Sequence, residues 1–231
     1  INKLSMEQSK LRRGIVQSLT NLSNDLNEII SNEEYLSRIE ELGKIFRSAM
    51  DNNYRIFFTG VGKTSFAADK LAATAKSIGL KSEFLNCQDA GHGDIGALPS
   101  HKKCFCIYMS KSGKTEEHFK LASLIRERRP NCVNVMVCFA TEERAELMKA
   151  DELRKYCMDK IVNLPMNILE SDNFGIVPTN SNALFEACIS AAMISAGMCD
   201  IYAMFENLKM NHPSGSLHKK VSDWLDSHPM E

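Results

Sequence analysis

The sequence lacks an excess of charge of either sign. Its 231 residues include 28 Lys and Arg against 29 Asp and Glu, which gives a formal net charge of -1. A chain that binds nucleic acid or an anionic membrane through bulk charge carries a marked basic surplus, so neither partner is expected here. An anion that binds this protein must therefore be held locally, by a few well-placed donors.

Paired cysteine motifs and long apolar runs are also missing. None of the eight cysteines belongs to a CxxC pair, and most lie inside apolar stretches, which is typical of reduced cysteines buried as small apolar side chains. Neither disulfides nor a zinc site is expected at these spacings, and a reducing cytoplasm is the expected location. No apolar run is long enough to span a bilayer, and no signal peptide is visible.

The first fifty residues predict two amphipathic helices. Apolar residues recur at steps of three, four or seven on both sides of a break at Ser31 and Asn32. The two apolar faces need a partner, which is either the rest of this chain or a neighbouring copy of it. A DNA-reading helix-turn-helix is disfavoured, because the helices are too long and only Arg12 and Arg13 cluster.

From residue 54 onward, short apolar strands alternate with helical patterns. Strands are predicted at 54–59, 82–86, 103–109, 132–139 and 158–164, and helices at 65–78, 180–196, 198–208 and 217–225. A further helix is predicted to follow Ser110-Lys-Ser-Gly and to end at about residue 128. Such repeats predict an α/β fold of three layers, in which helices cover both faces of a parallel, doubly wound sheet. Residues 1–231 are expected to form one domain, with the helical hairpin at 1–52. Ligands of these sheets bind on the loops beyond the carboxyl ends of the strands.

The loop after the first strand reads Gly60-Val-Gly-Lys-Thr-Ser65. It contains the Gly-Lys-Thr of a nucleotide P-loop, but Phe57 stands where that motif needs its first glycine. A dinucleotide fingerprint fails as well, because Ser65 replaces its third glycine. A nucleotide kinase is therefore disfavoured. Two interpretations of this tight turn remain open and carry equal weight. Lys63 projects over the end of the sheet towards a ligand, or it is simply a solvated lysine.

The loop after the third strand, here called the phosphate loop, reads Ser110-Lys-Ser-Gly-Lys-Thr115 and opens a helix. Free N–H groups and the positive end of the helix dipole lie at that point. Helix capping would explain one hydroxyl, but not three with a glycine between them. We therefore predict that Ser110, Ser112, Gly113 and Thr115 hold a phosphate.

Three further loops carry titratable side chains. His92 stands among glycines after the second strand, which lets the backbone approach a ligand closely. Glu170 lies in an irregular segment ahead of a long apolar helix that Thr179 or Ser181 could cap, and by itself it is interpreted as solvated surface. His212 joins two helices in a segment that is too short to interpret unaided.

Together these loops resemble those of the sugar isomerase domain family, and specifically of its arabinose 5-phosphate isomerases. Members typically carry a GxGKS turn, an AHGDLG segment, an SNSGESSE loop, a Glu ahead of LGLAPTSS, and an SHPGGALG segment. The corresponding stretches here are GVGKTS, GHGDIG, SKSGKTEE, ESDNFGIVPTNS and NHPSGSLH, in the same order and with similar spacing. The resemblance extends from about residue 54 to about residue 220, and the ordered set of five motifs is far more specific than any one of them.

The resemblance implies a five-stranded parallel sheet between helices and an aldose–ketose isomerisation that needs no cofactor or metal. The implied substrates are D-arabinose 5-phosphate and D-ribulose 5-phosphate, interconverted through an enediolate. It also implies a dimer or tetramer whose sites borrow residues from a neighbouring subunit. The family's functional residues match Lys63, His92, Glu117, Glu170 and His212. The other expected substrate-binding residues, beside the phosphate loop, are Gly62, Thr64 and Thr179.

The reaction needs a base that removes a proton next to the carbonyl and a group that returns it to the adjacent carbon. Glu117 and Glu170 are the expected acid/base carboxylates, and either one could act on carbon. His212 or His92 would assist ring opening. Lys63 would stabilise the negative charge that develops on oxygen.

The chain also departs from the family pattern. Lys111 and Lys114 replace an Asn and a Glu, which adds positive charge beside the expected phosphate, and Ser214 replaces a glycine. Many relatives continue into paired regulatory CBS domains, and the expectation here is the shorter, single-domain form. Glu186 resembles a glutamate of hexulose phosphate isomerases, so that substrate stays open. A phosphosugar sensor without catalysis, built on the same fold, is the competing class.

Overall fold

The structure is a computed structural model that describes residues 3–141, 143, 157–174 and 176–229. Two helices come first, α1 at Lys3–Ser31 and α2 at Glu33–Asn52. Asn32 separates them, because its side chain accepts hydrogen bonds from two N–H groups in the first turn of α2 and so caps that helix. The break predicted at this point is confirmed.

Strands and helices then alternate in the predicted order. The bounds in chain order are β1 Arg55–Gly60, α3 Lys63–Ser77, β2 Ser82–Phe84, β3 Cys104–Ser110, α4 Glu116–Arg128, β4 Cys132–Cys138, β5 Lys160–Asn163, α5 Asn180–Met198, α6 Ile201–Asn211 and α7 Gly215–Ser227. Two short 3-10 turns, Ala90–His92 and Asp94–Ala97, occupy the connection between β2 and β3. All five predicted strands are present, and their ends differ from the prediction by a few residues.

The five strands pair in parallel in the order β2-β1-β3-β4-β5. Side chains of α2, α3 and α5 cover one face of the sheet, and side chains of α4 and of the segment 87–98 cover the other. The three-layer α/β fold with a five-stranded parallel sheet is therefore confirmed. In this strand order the loops after β1 and β3 lead to opposite faces, which opens a crevice between them for a ligand.

Burial follows the composition of the strands. All seven residues of β3 and five of the six residues of β1 are buried, as expected for strands covered on both faces. Seven of the eight cysteines are buried too, and Cys199 is the exposed one. In the described part of the chain, no single helix has the length and hydropathy of a membrane span. The pair α5 and α6 meets that criterion only jointly, with a bend of 111° between them.

His118 of α4 is a buried histidine without polar partners. Neither ring nitrogen has a hydrogen-bond partner among the described residues, and the ring meets that of Tyr108 edge to face, with centroids 5.6 Å apart. Burial lowers the pKa of His118 to about 4, because the charged form loses its hydration. The residue is thus a neutral part of the core near neutral pH.

We expect His118 to weaken the fold in acid. The unfolded chain takes up this proton near pH 6.5 and the folded protein only near pH 4, so the free energy of unfolding falls as the pH drops through that window. A His118→Phe variant keeps a ring beside Tyr108 but cannot titrate. Between about pH 7.5 and about pH 4.5 the wild type should lose about 2.5 kcal/mol more stability than the variant. Urea unfolding at both pH values measures this difference, and equal losses in the two proteins would contradict it.

Candidate active site

The loop between β1 and α3 is a tight turn at the carboxyl end of the sheet. Gly62 precedes α3 with φ of 62°, a conformation that favours glycine. The hydroxyl and the N–H of Ser65 donate to the Gly62 carbonyl at 2.7 and 3.1 Å. Gly60 allows the close approach, since a Cβ there would lie 2.8 Å from main-chain atoms of Thr64. The turn leaves Lys63 exposed at the first position of α3.

The phosphate loop has its hydroxyls close to the start of α4. Ser110 Oγ and Thr115 Oγ1 lie 2.8 Å apart, and the Lys114 N–H donates to Ser112 Oγ at 3.2 Å. Gly113 has φ of 64°, which turns the chain into the helix. Thr115 holds the N-cap position of α4 without a side-chain capping bond. Its hydroxyl is therefore not committed to capping, and the arrangement suits an anion at the helix N-terminus.

Glu170, in the loop between β5 and α5, is fully buried, so its interpretation as solvated surface is wrong. Its Oε1 accepts from Lys111 Nζ at 2.7 Å, and its Oε2 accepts from the N–H groups of Thr179 and Ser181 at 2.8 and 3.1 Å. Burial by itself raises the pKa of Glu170, but the bonds from Lys111, Ser181 and Thr179 outweigh it and hold the pKa below its ordinary value. Glu170 is therefore an ionised and tightly held carboxylate.

Hydrogen bonds join three loops at this end of the sheet. Thr64 Oγ1 donates to Asn182 Oδ1 at 3.0 Å, which links the start of α3 to the first turn of α5. The start of α5 binds Glu170, and Glu170 binds Lys111 of the phosphate loop. Thr179, an expected ligand residue, donates its hydroxyl to Ser171 Oγ at 2.8 Å and so belongs to the same network. The structure thus brings the loops after β1, β3 and β5 together.

Glu117 and the His92 segment are neighbours on the α4 face. Glu117 is half-buried in the first turn of α4, two residues after the phosphate loop. Cys87 Sγ donates to its main-chain oxygen at 3.1 Å, and both residues line a cavity of about 350 Å³ together with Gly91. His92 follows directly and is exposed. The Glu117 carboxylate has no hydrogen bond or ion pair to any other described residue, so it is available to a ligand.

His212 does not reach this site within one chain. It ends α6, and the adjacent Asn211 donates to the carbonyl of Ser77 at the last turn of α3. Lys63 begins that same helix, so the 15 residues of α3 separate the two positions by roughly 20 Å. The structure therefore brings Lys63, Glu117 and Glu170 to one end of the sheet and His212 to the other.

Sequence reasoning missed Asp25, which belongs to a polar stripe of α1. On this stripe Ser18 donates to Ser171 at 2.7 Å, and Asn21 donates to Asn173 at 2.9 Å, in the loop that contains Glu170. Asp25 lies one turn further along, is buried, and has no hydrogen-bond partner for its Oδ2 within the described ranges. Its signal in the sequence is polar residues at helical spacing beside an apolar face.

No group of three or more His, Cys, Asp or Glu that could hold a metal occurs in the described residues.

Comparison with known proteins supports the expected family. No protein-family model matches the sequence. The chain is 29% identical to an uncharacterized protein of Chlamydia pneumoniae over 170 aligned residues. The alignment covers 72% of this chain and 46% of that protein. It is 26% identical to the arabinose 5-phosphate isomerase KpsF of Escherichia coli over 178 aligned residues. This alignment covers 77% of this chain and 51% of that protein. The chain thus spans about half the length of the curated relatives it matches.

Solved structures agree with the sequence comparison. A protein of Escherichia coli CFT073, in complex with arabinose 5-phosphate, superimposes with a TM-score of 0.69 at 25% identity, over 86% of this chain and 93% of that one. The neighbours share the three-layer arrangement described above. The chain therefore has the sugar isomerase domain fold, and it is similar in sequence and structure to the phosphosugar isomerases of that family, the arabinose 5-phosphate isomerases among them.

Proposed function

We propose that this protein is an aldose–ketose isomerase of phosphosugars that interconverts D-arabinose 5-phosphate and D-ribulose 5-phosphate. The observation that carries the proposal is that Lys63, the phosphate loop and Glu117 lie at the same end of the sheet, where the neighbouring strands β1 and β3 end. Similarity to arabinose 5-phosphate isomerases and to a structure with that sugar phosphate bound supports this choice of substrate. The seven buried thiols favour a reducing compartment such as the cytoplasm.

The sugar phosphate would bind across the crevice. Ser110, Ser112 and Thr115 would donate to the phosphate, together with N–H groups at the start of α4. Gly62 and Thr64 would form the opposite wall, where the turn after β1 keeps the backbone close to the ligand. Lys63 would then lie near the carbonyl end and stabilise the oxyanion of the enediolate.

Glu117 is better suited than Glu170 to act on carbon. Both oxygens of Glu170 already accept hydrogen bonds, and its lowered pKa makes it a weaker base. Glu117 is half-buried with a free carboxylate. We assign it the proton next to the carbonyl, which it removes to give the enediolate and returns to the adjacent carbon. Glu170 would fix the start of α5 and orient Lys111.

We further propose a homo-oligomer with shared active sites, in which His212 of one subunit assists ring opening at the site of its neighbour. We expect both His212→Gln and Glu117→Gln to lose most activity. Co-expression of the two variants should restore activity in about a quarter of the sites of a dimer, because some sites then contain both intact residues. Turnover of the mixed, size-selected oligomers measures the recovery.

A matched pair controls for this complementation. Lys63→Ala mixed with Glu117→Gln should show no recovery, because both changes affect residues of the same site in the same chain. Absence of recovery with His212→Gln, or equal recovery in both mixtures, would contradict the shared site. Exposed His92 would then be the group that opens the ring.

Product analysis distinguishes the proposed isomerase from the competing class, a sensor that binds phosphosugars without converting them. A panel of pentose and hexulose phosphates is incubated with the protein in D2O, and the products are identified by NMR. An isomerase that forms an enediolate should convert arabinose 5-phosphate and introduce solvent deuterium at the carbon that gains the proton. Binding of this sugar phosphate without conversion would contradict the proposed isomerase activity. Conversion of a hexulose phosphate alone would contradict the proposed pentose phosphate substrate. Glu186, which forms an ion pair with Lys70 at 3.2 Å, would then become the residue to test.

A further inference from the structure

Two buried carboxylates and one half-buried lysine form a charge cluster at the phosphate loop. It consists of Asp25 from α1, Lys111 from the phosphate loop and Glu170 from the loop before α5. Lys111 binds Glu170 at 2.7 Å, and both Lys111 and Glu170 are close enough to Asp25 to interact with it electrostatically. Exposed Glu28, one turn along α1, adds a further negative charge. One cation thus serves two buried carboxylates.

Asp25 is the member of the cluster without a fixed partner. Buried carboxylates are usually hydrogen-bonded or paired, because an isolated buried charge is costly. Asp25 is 8% exposed, and its Oδ2 has no hydrogen-bond partner within the described ranges. Burial, with the charges of Glu28 and Glu170, raises the pKa of Asp25 to about 6, and Lys111 opposes the rise. Among these influences, the charge of Lys111 is the one that favours the ionised form of Asp25.

Lys111 also belongs to the loop that is expected to hold the ligand. Its main chain lies between Ser110 and Ser112, and its carbonyl accepts from the Phe139 N–H at 3.1 Å, which fixes this part of the loop beside β4. The side chain is half-buried and flexible enough to turn between Glu170 and a phosphate on the loop. A dianion at that point competes with both carboxylates for the same ammonium group.

We propose that Asp25 is a positioning residue that acts through Lys111, and that a phosphate dianion on the phosphate loop draws Lys111 away from the buried carboxylates while Asp25 takes up a proton from solvent. The inference rests on the phosphate site of the proposed function, but not on catalysis. Protonation of Asp25 then removes one negative charge beside Lys111, so fewer carboxylates compete with the phosphate for its ammonium group.

Calorimetry with sulfate tests the proposal. Sulfate is a dianion that does not titrate near neutral pH, so any proton taken up from the buffer on binding must be bound by the protein. Binding is measured at about pH 6.5 in two buffers of different ionisation enthalpy. If the bound dianion raises the pKa of Asp25 by about one unit, the wild type should take up about half a proton per sulfate. This measurement on the wild type does not depend on the folding of any variant.

Three variants locate the proton. Asp25→Asn should bind sulfate without proton uptake, whereas Glu28→Gln, on the same helix, should retain most of the uptake. Lys114→Met, on the same loop but outside the cluster, should weaken sulfate several-fold and leave the uptake unchanged, which places the anion on this loop. Equal uptake by Asp25→Asn and the wild type would overturn the proposal, and so would sulfate binding without uptake.

The two proposals can fail separately. Proton uptake without turnover of any phosphosugar would retain the inference and reject the isomerase. Turnover of arabinose 5-phosphate, with sulfate binding that takes up no proton, would retain the isomerase and reject the inference. Failure of sulfate to bind would overturn the inference together with the phosphate site.

Discussion

A Glu117→Gln variant is expected to convert arabinose 5-phosphate about 10³-fold more slowly than the wild type while binding it with similar affinity. Glutamine has the size of glutamate but cannot accept a proton from carbon. The loss should therefore fall on kcat rather than on KM. Exchange of the carbon-bound proton with D2O, followed by NMR, should slow by the same factor, because both measurements report formation of the enediolate.

The neighbouring glutamate provides a control for Glu117. Glu116 belongs to the same first turn of α4, is exposed, and contacts Lys120 at 4.0 Å on the surface. A Glu116→Gln variant should stay within about twofold of wild-type turnover, since an exposed ion pair of this kind contributes little. If Glu117→Gln remains active and Glu170→Gln loses both turnover and proton exchange, the base is Glu170 and not Glu117.

The second large effect is expected from Gly60→Ala, which should destabilise the protein by about 3 kcal/mol. The added Cβ would lie 2.8 Å from the main-chain carbon and oxygen of Thr64 and 3.1 Å from the nitrogen of Ser65. Because these are main-chain atoms, no side chain can rotate to make room, and the first turn of α3 must move. Lys63 moves with it, so turnover should fall as well. Urea unfolding and turnover of arabinose 5-phosphate measure the two effects.

Gly14→Ala adds the same methyl group but is expected to stabilise the protein, in contrast to Gly60→Ala. Gly14 lies inside α1, and a Cβ there meets nothing within 4 Å. Alanine favours a helix over glycine, so this variant should gain about 0.5 to 1 kcal/mol. A Gly60→Ala protein as stable as the wild type would show that the turn after β1 is less closely packed than described.

Local patterns in the sequence predicted most of the fold. A helix or a buried strand depends on residues within one segment, so periodicity and apolar runs placed all five strands correctly. The grouping of the hydroxyls of Ser110, Ser112 and Thr115 was predictable for the same reason, since these residues lie close together along the chain. Their closeness to the start of α4 needs no information from distant residues.

Contacts between distant segments could not be predicted in this way. Lys111 and Glu170 are 59 residues apart, and nothing near either residue indicates that the two form a buried pair. The local sequence therefore indicates Lys111 only as charge beside the phosphate and Glu170, taken by itself, only as surface, and the functional role expected for Glu170 comes from the family resemblance. Asp25 carried no motif at all, because its burial depends on how α1 packs against the loop before α5. The position of His212 depends in turn on the direction in which α6 leaves α5.

The helix α3 has a consequence for an assembly with shared sites. Its first residue, Lys63, belongs to the proposed site of its own chain, and its last turn accepts a hydrogen bond from Asn211, the neighbour of His212. If His212 serves a neighbour, each copy of α3 connects two active sites. A ligand that shifts α3 along its axis at one site then also moves the residues of the other site, and ligand binding to the assembly would be cooperative.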